Sequence, residues 1–391
     1  MPLRRLGQPL LLVVLCLSTG ASEDRLATSK PQPSPQANAA AEIPADRSDE
    51  TTIQWIAFPE ERFQLSGLPW FEANAPQLWR LPRTAAPNLP RRVAAMMRFP
   101  AGARIRFNTN SSSLRIRVRT ERVFPSRDLP PMGVRGMDVY VDGTYWSSVC
   151  IDKPAEQELT FFANAAPERK EVVLYLPTSQ EISISALGID KTAELCKPKK
   201  MIKQPPIVFY GSSIAQGKRA GRPAMSYEAI LARRLGIDFV NLGFSGSGKA
   251  EPVVVDLVKD VPACCYVFDL GKSYGKQPAK IYLKMLQDVH RAHPEVPLVC
   301  ITPIFSTREL YSTEYAELSR SIRTVVIQAV RTMNHAGANN VHLVDGLELL
   351  GPDDADALQE GVHPSDLGFT RIADRLEPIF QKILADALAE R

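Results

Sequence analysis

The chain has 391 residues, 45% of them hydrophobic and 23% charged, with a formal net charge of +4. That length exceeds one ordinary domain and supports a large core, while so small a net charge argues against nucleic acid or an anionic membrane surface as a partner. No paired Cys-x-x-Cys spacing and no two histidines at ligand spacing beside a carboxylate are present, so neither a metal nor another cofactor is expected.

The first 21 residues read as a secretory signal, with Arg4 and Arg5 ahead of an apolar run from Leu10 to Leu17 and the small residues Thr19-Gly20-Ala21 at its end. A secreted or periplasmic location is therefore expected, without a stable membrane anchor after cleavage. Leu15 before Cys16 is too bulky for a lipid-attachment site. Residues 22–50, rich in Pro, Ala, Ser and Gln, read as a disordered linker.

From 51 to 196 the pattern is short alternating runs, among them Arg104-Ile105-Arg106-Phe107, Leu114-Arg115-Ile116-Arg117-Val118 and Asp138-Val139-Tyr140-Val141. Turn signals such as Asp142-Gly143 separate them, so the segment is expected to be an antiparallel β-sandwich domain. Cys264 and Cys265 sit in an apolar strand run and read as buried hydrophobes. A disulfide between Cys150 and Cys196 is left open by the sequence.

Lys197-Pro198-Lys199-Lys200 reads as an inter-domain linker. Beyond it, over 201–391, strand-like runs at 206–210, 237–244, 264–269, 297–303 and 341–345 alternate with helical stretches. Two of these are Tyr227 to Leu235, stopped by Gly236, and a final helix from about Asp366 to Leu388. The alternation predicts a three-layer α/β/α doubly wound parallel sheet, flavodoxin-like in type, with its site at the carboxyl ends of the strands.

"FYGSSIAQG" (209–217) lies at such an end, and its glycines allow a tight turn from which Ser212 or Ser213 projects. A nucleophilic serine needs a base. His290, His293 and His335 lie in polar, helix-like surroundings that predict solvated side chains, and His342 lies within a strand run. His363 in "EGVHPSDLGF" sits in a loop feeding the last helix, and Glu360, three residues earlier, is placed to hold the imidazole in the tautomer that deprotonates serine. "NLGFSGSG" (241–248) follows the second strand of this region, and Gly246 can bring a backbone N–H to a developing oxyanion.

These blocks resemble the SGNH (GDSL-like) hydrolases, an esterase and lipase superfamily. "YGSSIAQG" is similar to its nucleophile block and points to Ser213; "NLGFSGSG" to its glycine block, with Gly246 as donor; "GVHPSDLGF" to its histidine block. "RPAMSYEAILARRLG" and "VDGLELLG" extend the likeness to a bacterial subgroup. There an N-terminal β-domain carries a Gly-x-Asp-Leu-Tyr signature, similar to Gly136-Met137-Asp138-Val139-Tyr140, and "GLPWFEAN" (67–74) adds to it. The resemblance implies a Ser213-His363-Glu360 triad, with Glu360 where members usually have Asp. It implies an oxyanion hole of Ser213, Gly246 and Ser273, the last standing where members have Asn, with Lys272 or Tyr274 as compensating neighbours. The expected function is hydrolysis of short-chain, acetyl-type esters on a small-molecule or polysaccharide substrate. The alternatives are a non-catalytic carbohydrate-binding protein, with Trp70, Trp79 and Trp146 as a sugar platform, or an acetyl transferase.

Overall fold

The computed structural model describes residues 52–125, 129–198, 205–385 and 388. The expected signal and first linker, and Lys199 and Lys200 of the second, lie outside these residues. Alternating sequence becomes strand at Ile53–Ala57 (β1), Gln64–Ser66 (β2), Arg104–Thr109 (β3), Leu114–Arg119 (β4), Gly136–Val141 (β5), Thr144–Cys150 (β6), Glu156–Phe162 (β7), Lys170–Tyr175 (β8), Ser183–Asp190 (β9) and Leu195–Cys196 (β10). They form two antiparallel sheets, ordered β1-β9-β4-β7 and β10-β3-β8-β5-β6, with β2 paired to β3. Alternate residues, including Ile105, Phe107, Ile116, Val118, Leu174 and Leu187, fill the core between them, as the period-two pattern requires. Asp142 and Gly143, both at positive φ (48° and 77°), make the β5–β6 turn.

The outer face of the second sheet is not solvated, although its alternating arginines suggest it. Arg104 and Arg106 are 3% and 7% exposed. Arg104 bonds Asp238 and the Phe239 carbonyl and lies 3.9 Å over the Phe239 ring. That face packs against the parallel sheet, and an arginine there must be paired to be buried.

Ile207–Gly211 (β11), Phe239–Gly243 (β12), Cys265–Asp269 (β13), Leu298–Ile301 (β14) and Val341–Val344 (β15) form the parallel sheet, in the order β12-β11-β13-β14-β15. Val208 and Tyr210 face a layer made by helices Pro252–Lys259, Ala279–Ala292 and Thr313–His335, while Ile207 and Phe209 face helices Tyr227–Leu235 and Asp366–Ile383. Both faces are therefore covered, which explains near-continuous apolar strands. Helix Tyr227–Leu235 starts where Ser226 Oγ accepts the Ala229 N–H and stops at Gly236, φ 64°. The chain leaves β11 for β12 on one side and returns to β13 on the other, so the carboxyl end of β11 is the switch point at which such sheets open a crevice.

Side chains of the N-terminal sheets hold the loops at that end. Asp138, fully buried on β5, accepts the Ala224 N–H at 2.8 Å and Arg222 Nη1 at 3.1 Å, while Ser148 Oγ donates to it at 2.6 Å. The fully buried Arg80 donates to the carbonyls of Phe99, Met96, Asn241 and Gly243 and stacks 4.5 Å from the Phe244 ring centre. Cys150 and Cys196 are free thiols, and Cys265 and Cys300 are buried. Among the described residues no helix is long and apolar enough to cross a membrane.

Candidate active site

β11 ends at Gly211, where a Cβ would lie 2.0 Å from the Asp269 carbonyl oxygen. Only glycine lets the chain cross β13 this closely before turning. The turn separates the two serines. Ser212 is 2% exposed, and its Oγ accepts the Ile214 N–H at 3.1 Å. Ser213 is half-buried, and its Oγ lies 2.8 Å from His363 Nε2.

His363 is brought there by a two-stranded hairpin in which Leu358–Gln359 pairs with His363–Pro364. Its turn uses left-handed backbone at Glu360 (φ 41°) and Gly361 (φ 73°). Ser306 Oγ and the Thr307 N–H, donating to the Gly361 carbonyl at 2.6 and 3.0 Å, fix the turn from the loop after β14. Glu360 folds back so that Oε1 takes a hydrogen bond from His363 Nδ1, while Oε2 meets Arg219 Nε at 2.8 Å. Arg219 is itself at positive φ, 79°. A non-glycine residue there costs energy, and two facing one imidazole show strain concentrated at this point of the fold. With its Nδ1 proton on the carboxylate, the ring turns its Nε2 lone pair to the serine. Burial holds the His363 pKa below the ordinary 6.5; Glu360 opposes the shift, and the cations Lys218 and Arg219 add to it. The ring is thus neutral, and able to accept a proton, at neutral pH.

The glycine loop is fastened to the same turn. Gln216 Oε1 accepts the Ser245 N–H at 2.9 Å, Gln216 Nε2 donates to the Thr178 carbonyl at 3.0 Å, and the Phe244 N–H donates to the Gly211 carbonyl at 2.9 Å. Gly246 is at φ 70°, in the left-handed region that favours glycine. After β13 the 3₁₀ turn Gly271–Tyr274 carries a half-buried Ser273. The two neighbours that might have replaced the Asn donor are committed elsewhere. Lys272 Nζ donates to the Ile304 carbonyl at 2.6 Å and pairs with Glu309 at 3.2 Å, and burial pushes its pKa down to about 8. Tyr274 is buried, with its hydroxyl on the Pro278 carbonyl at 2.7 Å. Ser273 is thus the remaining half-buried side chain between these two committed residues.

The remaining histidines lie apart. His290 meets Asn340 at 3.2 Å and His293 the Lys259 carbonyl at 2.6 Å, so both are half-buried structural groups rather than solvated ones. His335 is exposed and His342 half-buried. The three tryptophans do not share a platform: Trp70 and Trp79 pack on the core, Arg98 caps the Trp79 ring at 4.9 Å, and Trp146 is 49% exposed on β6. A cavity of about 670 Å³ lined by Trp79, Arg98, Phe124 and Glu181 does not include Ser213 or His363. Among the described residues no group of three His, Cys, Asp or Glu side chains is placed to hold a metal ion. No role for Arg219 is legible from sequence, because no local pattern announces its pairing with Glu360 across 141 positions; "GKRAG" directly after the serine turn is the only trace of it.

Comparison with known proteins agrees with this fold. The family described as GDSL-like Lipase/Acylhydrolase matches residues 204–381, and the N-terminus of SGNH hydrolase-type esterases, the GxDLY family, matches residues 53–195. A GDSL-like lipase from Bacteroides ovatus superposes with a TM-score of 0.77 at 26% identity, over 85% of this chain and 98% of its own. A salicylyl-acyltransferase from a tetracycline biosynthetic pathway gives 0.73 at 22%, over 85% and 97%. A family two carbohydrate esterase from Clostridium thermocellum, in complex with cellohexaose, gives 0.58 at 18%, over 73% and 93%. Comparison with curated protein sequences finds no match. Sheet order, motif blocks and both family matches agree: this chain belongs to the SGNH (GDSL-like) hydrolase family, in the group with a GxDLY N-terminal region.

Proposed function

We propose that the chain is a secreted or periplasmic serine esterase that removes short acyl groups, acetyl foremost, from carbohydrate esters. The observation that carries this reading is the relay of Ser213 Oγ, 2.8 Å from His363 Nε2, with His363 Nδ1 on Glu360. Ser213 Oγ attacks the ester carbonyl as its proton passes to Nε2. The imidazolium is stabilised by Glu360, whose other oxygen Arg219 holds in place. The N–H groups of Ser213 and Gly246 and the Ser273 hydroxyl receive the oxyanion. Collapse of the tetrahedral intermediate breaks the bond to the alcohol oxygen, which takes the proton from Nε2. Water then repeats the sequence on the acyl-serine, releasing the acid and restoring Ser213.

Carbohydrate as the alcohol is supported by the fold likeness to a carbohydrate esterase with cellohexaose bound. Location follows from the signal-like residues 1–21, ahead of the linker 22–50, the sandwich domain 51–196 and the hydrolase domain 201–391. A fluorophosphonate should label Ser213, and purified protein should release acetate from aryl acetates and acetylated glycosides. A Ser213→Ala variant with undiminished turnover refutes the reading. Because an acyltransferase shares the fold, product analysis with an added acceptor alcohol separates transfer from hydrolysis.

A further inference from the structure

A cation from the N-terminal region overhangs the glycine loop. A Cβ on Gly246 would lie 3.2, 3.3 and 3.4 Å from Nη2, Cζ and Nη1 of Arg92, so the guanidinium lies flat across this residue. Arg92 belongs to helix Arg91–Met96, whose position is fixed: Val93 and Met97 are fully buried, and Arg80 Nη2 donates to the Met96 carbonyl at 3.0 Å. The Arg92 side chain is exposed, and among the described residues its guanidinium has no hydrogen-bond or ion-pair partner. Five N–H donors on a fixed base are thus unspent at the rim of the site.

Two uses suit a guanidinium there. As an oxyanion partner an exposed guanidinium would act as an unoriented charge screened by solvent and salt. As a fork for a carboxylate it makes two charge-assisted hydrogen bonds, which discriminate by about 10- to 100-fold. The surrounding charges favour the second use. Lys218 and Arg219 also act on His363, while Glu360 is spent on His363 and Arg219.

Building on the esterase reading, we propose that Arg92 is a specificity residue that binds a carboxylate of the substrate next to the scissile ester, so that the preferred substrates are anionic esters. The carboxylate belongs to a uronic acid on the alcohol side or to a diacid hemiester on the acyl side.

The test measures kcat/KM on two matched pairs: an acetylated methyl galacturonide against the acetylated methyl galactoside, and 4-nitrophenyl hemisuccinate against 4-nitrophenyl butyrate. Wild type should favour the anionic member of one pair, which identifies the side. Arg92→Met should lower that anionic-to-neutral ratio about 10- to 100-fold, and Arg92→Lys, which keeps the charge but not the fork, should lower it less. A ratio equal within twofold in wild type and Arg92→Met, in both pairs, overturns the proposal. If wild type turns over none of the four esters, the esterase reading fails instead. Arg92 is then judged by calorimetric titration of the galacturonide and the hemisuccinate, where equal or absent binding by wild type and Arg92→Met overturns it.

Discussion

Replacing Asp138 tests whether the signature of the N-terminal region acts as a latch on the hydrolase loops. Its carboxylate is fully buried and receives Ser148 Oγ, the Ala224 N–H and Arg222 Nη1 at 2.6 to 3.1 Å. Asp138→Ala removes all three bonds together. Ala224 loses the acceptor for its buried N–H, and Arg222 loses its one carboxylate, keeping the Tyr140 hydroxyl at 3.1 Å, Met225 Sδ at 3.3 Å and the Tyr145 ring at 3.8 Å. Breaking a buried pair in this way costs about 3–5 kcal/mol. Asp138→Asn behaves differently, because burial raises the carboxyl pKa above its ordinary value, against the opposing pull of its hydrogen bonds. A folded-state pKa above the unfolded one means that stability falls as pH rises through that interval. The ionised carboxylate therefore carries a desolvation cost at neutral pH that a neutral amide escapes, while the amide oxygen still accepts from Ala224. The Asn variant should lose about 1–2 kcal/mol. Thermal unfolding at pH 7 should show a fall of about 4–7 °C for Asp138→Ala and about 1–3 °C for Asp138→Asn. A shift under 2 °C for the Ala variant, or the two variants in reverse order, refutes the latch.

Other expectations concern the chemistry. Ser213→Ala should lower ester turnover by about 10⁴-fold or more and abolish phosphonate labelling, read by mass spectrometry of the active-site peptide. The acid limb of kcat/KM should fall below pH 6.5, because the His363 pKa is depressed. Glu360→Gln removes the group that raises that pKa, so the limb should move lower while the plateau drops by about 10³- to 10⁴-fold. Arg219→Met removes a group that lowers it, so the limb should move higher; a pH-rate series that leaves both limbs in place contradicts the relay. Ser273→Asn supplies a longer oxyanion donor and should raise kcat by about 10-fold or more without a matching change in KM, measured on an aryl acetate.

The layers of the fold were legible because strand and helix periods differ: runs at 206–210 and 264–269 became β11 and β13, and Tyr227 to Leu235 became a helix with the expected ends. The sequence pattern does not single out β1, β2, β6, β7 or β10. In β6, "TYWSSVC", exposed aromatics and half-buried serines blur the alternation on which strand recognition depends. Glu360 and His363 were readable as neighbours because only Gly361 and Val362 of the hairpin turn separate them. Ser213 and His363 lie 150 positions apart, and family likeness was needed to choose between two adjacent serines. In the structure Ser212 is spent on the turn itself, and Ser213 is the serine that meets His363. Arg104 and Arg106 misled in the opposite direction, because alternation marks a polar face without saying whether water or another sheet covers it.

That covering explains why the N-terminal region and the parallel sheet form one unit rather than two beads on a string. Three segments near the end of β11 add bonds from outside to those they make themselves. The nucleophile turn sends Gln216 to the Thr178 carbonyl, the segment before helix Tyr227–Leu235 gives the Ala224 N–H to Asp138, and the strand leading to Gly246 offers the Asn241 and Gly243 carbonyls to Arg80. Each partner comes from the antiparallel sheets or the segments joining them. Without them a buried carbonyl or N–H in each loop would lose its bond, at about 1–3 kcal/mol apiece. Those costs fall where a displacement of 1 Å is enough to lower a rate about 100-fold. The N-terminal region therefore holds the serine turn and the glycine loop of the candidate site in place.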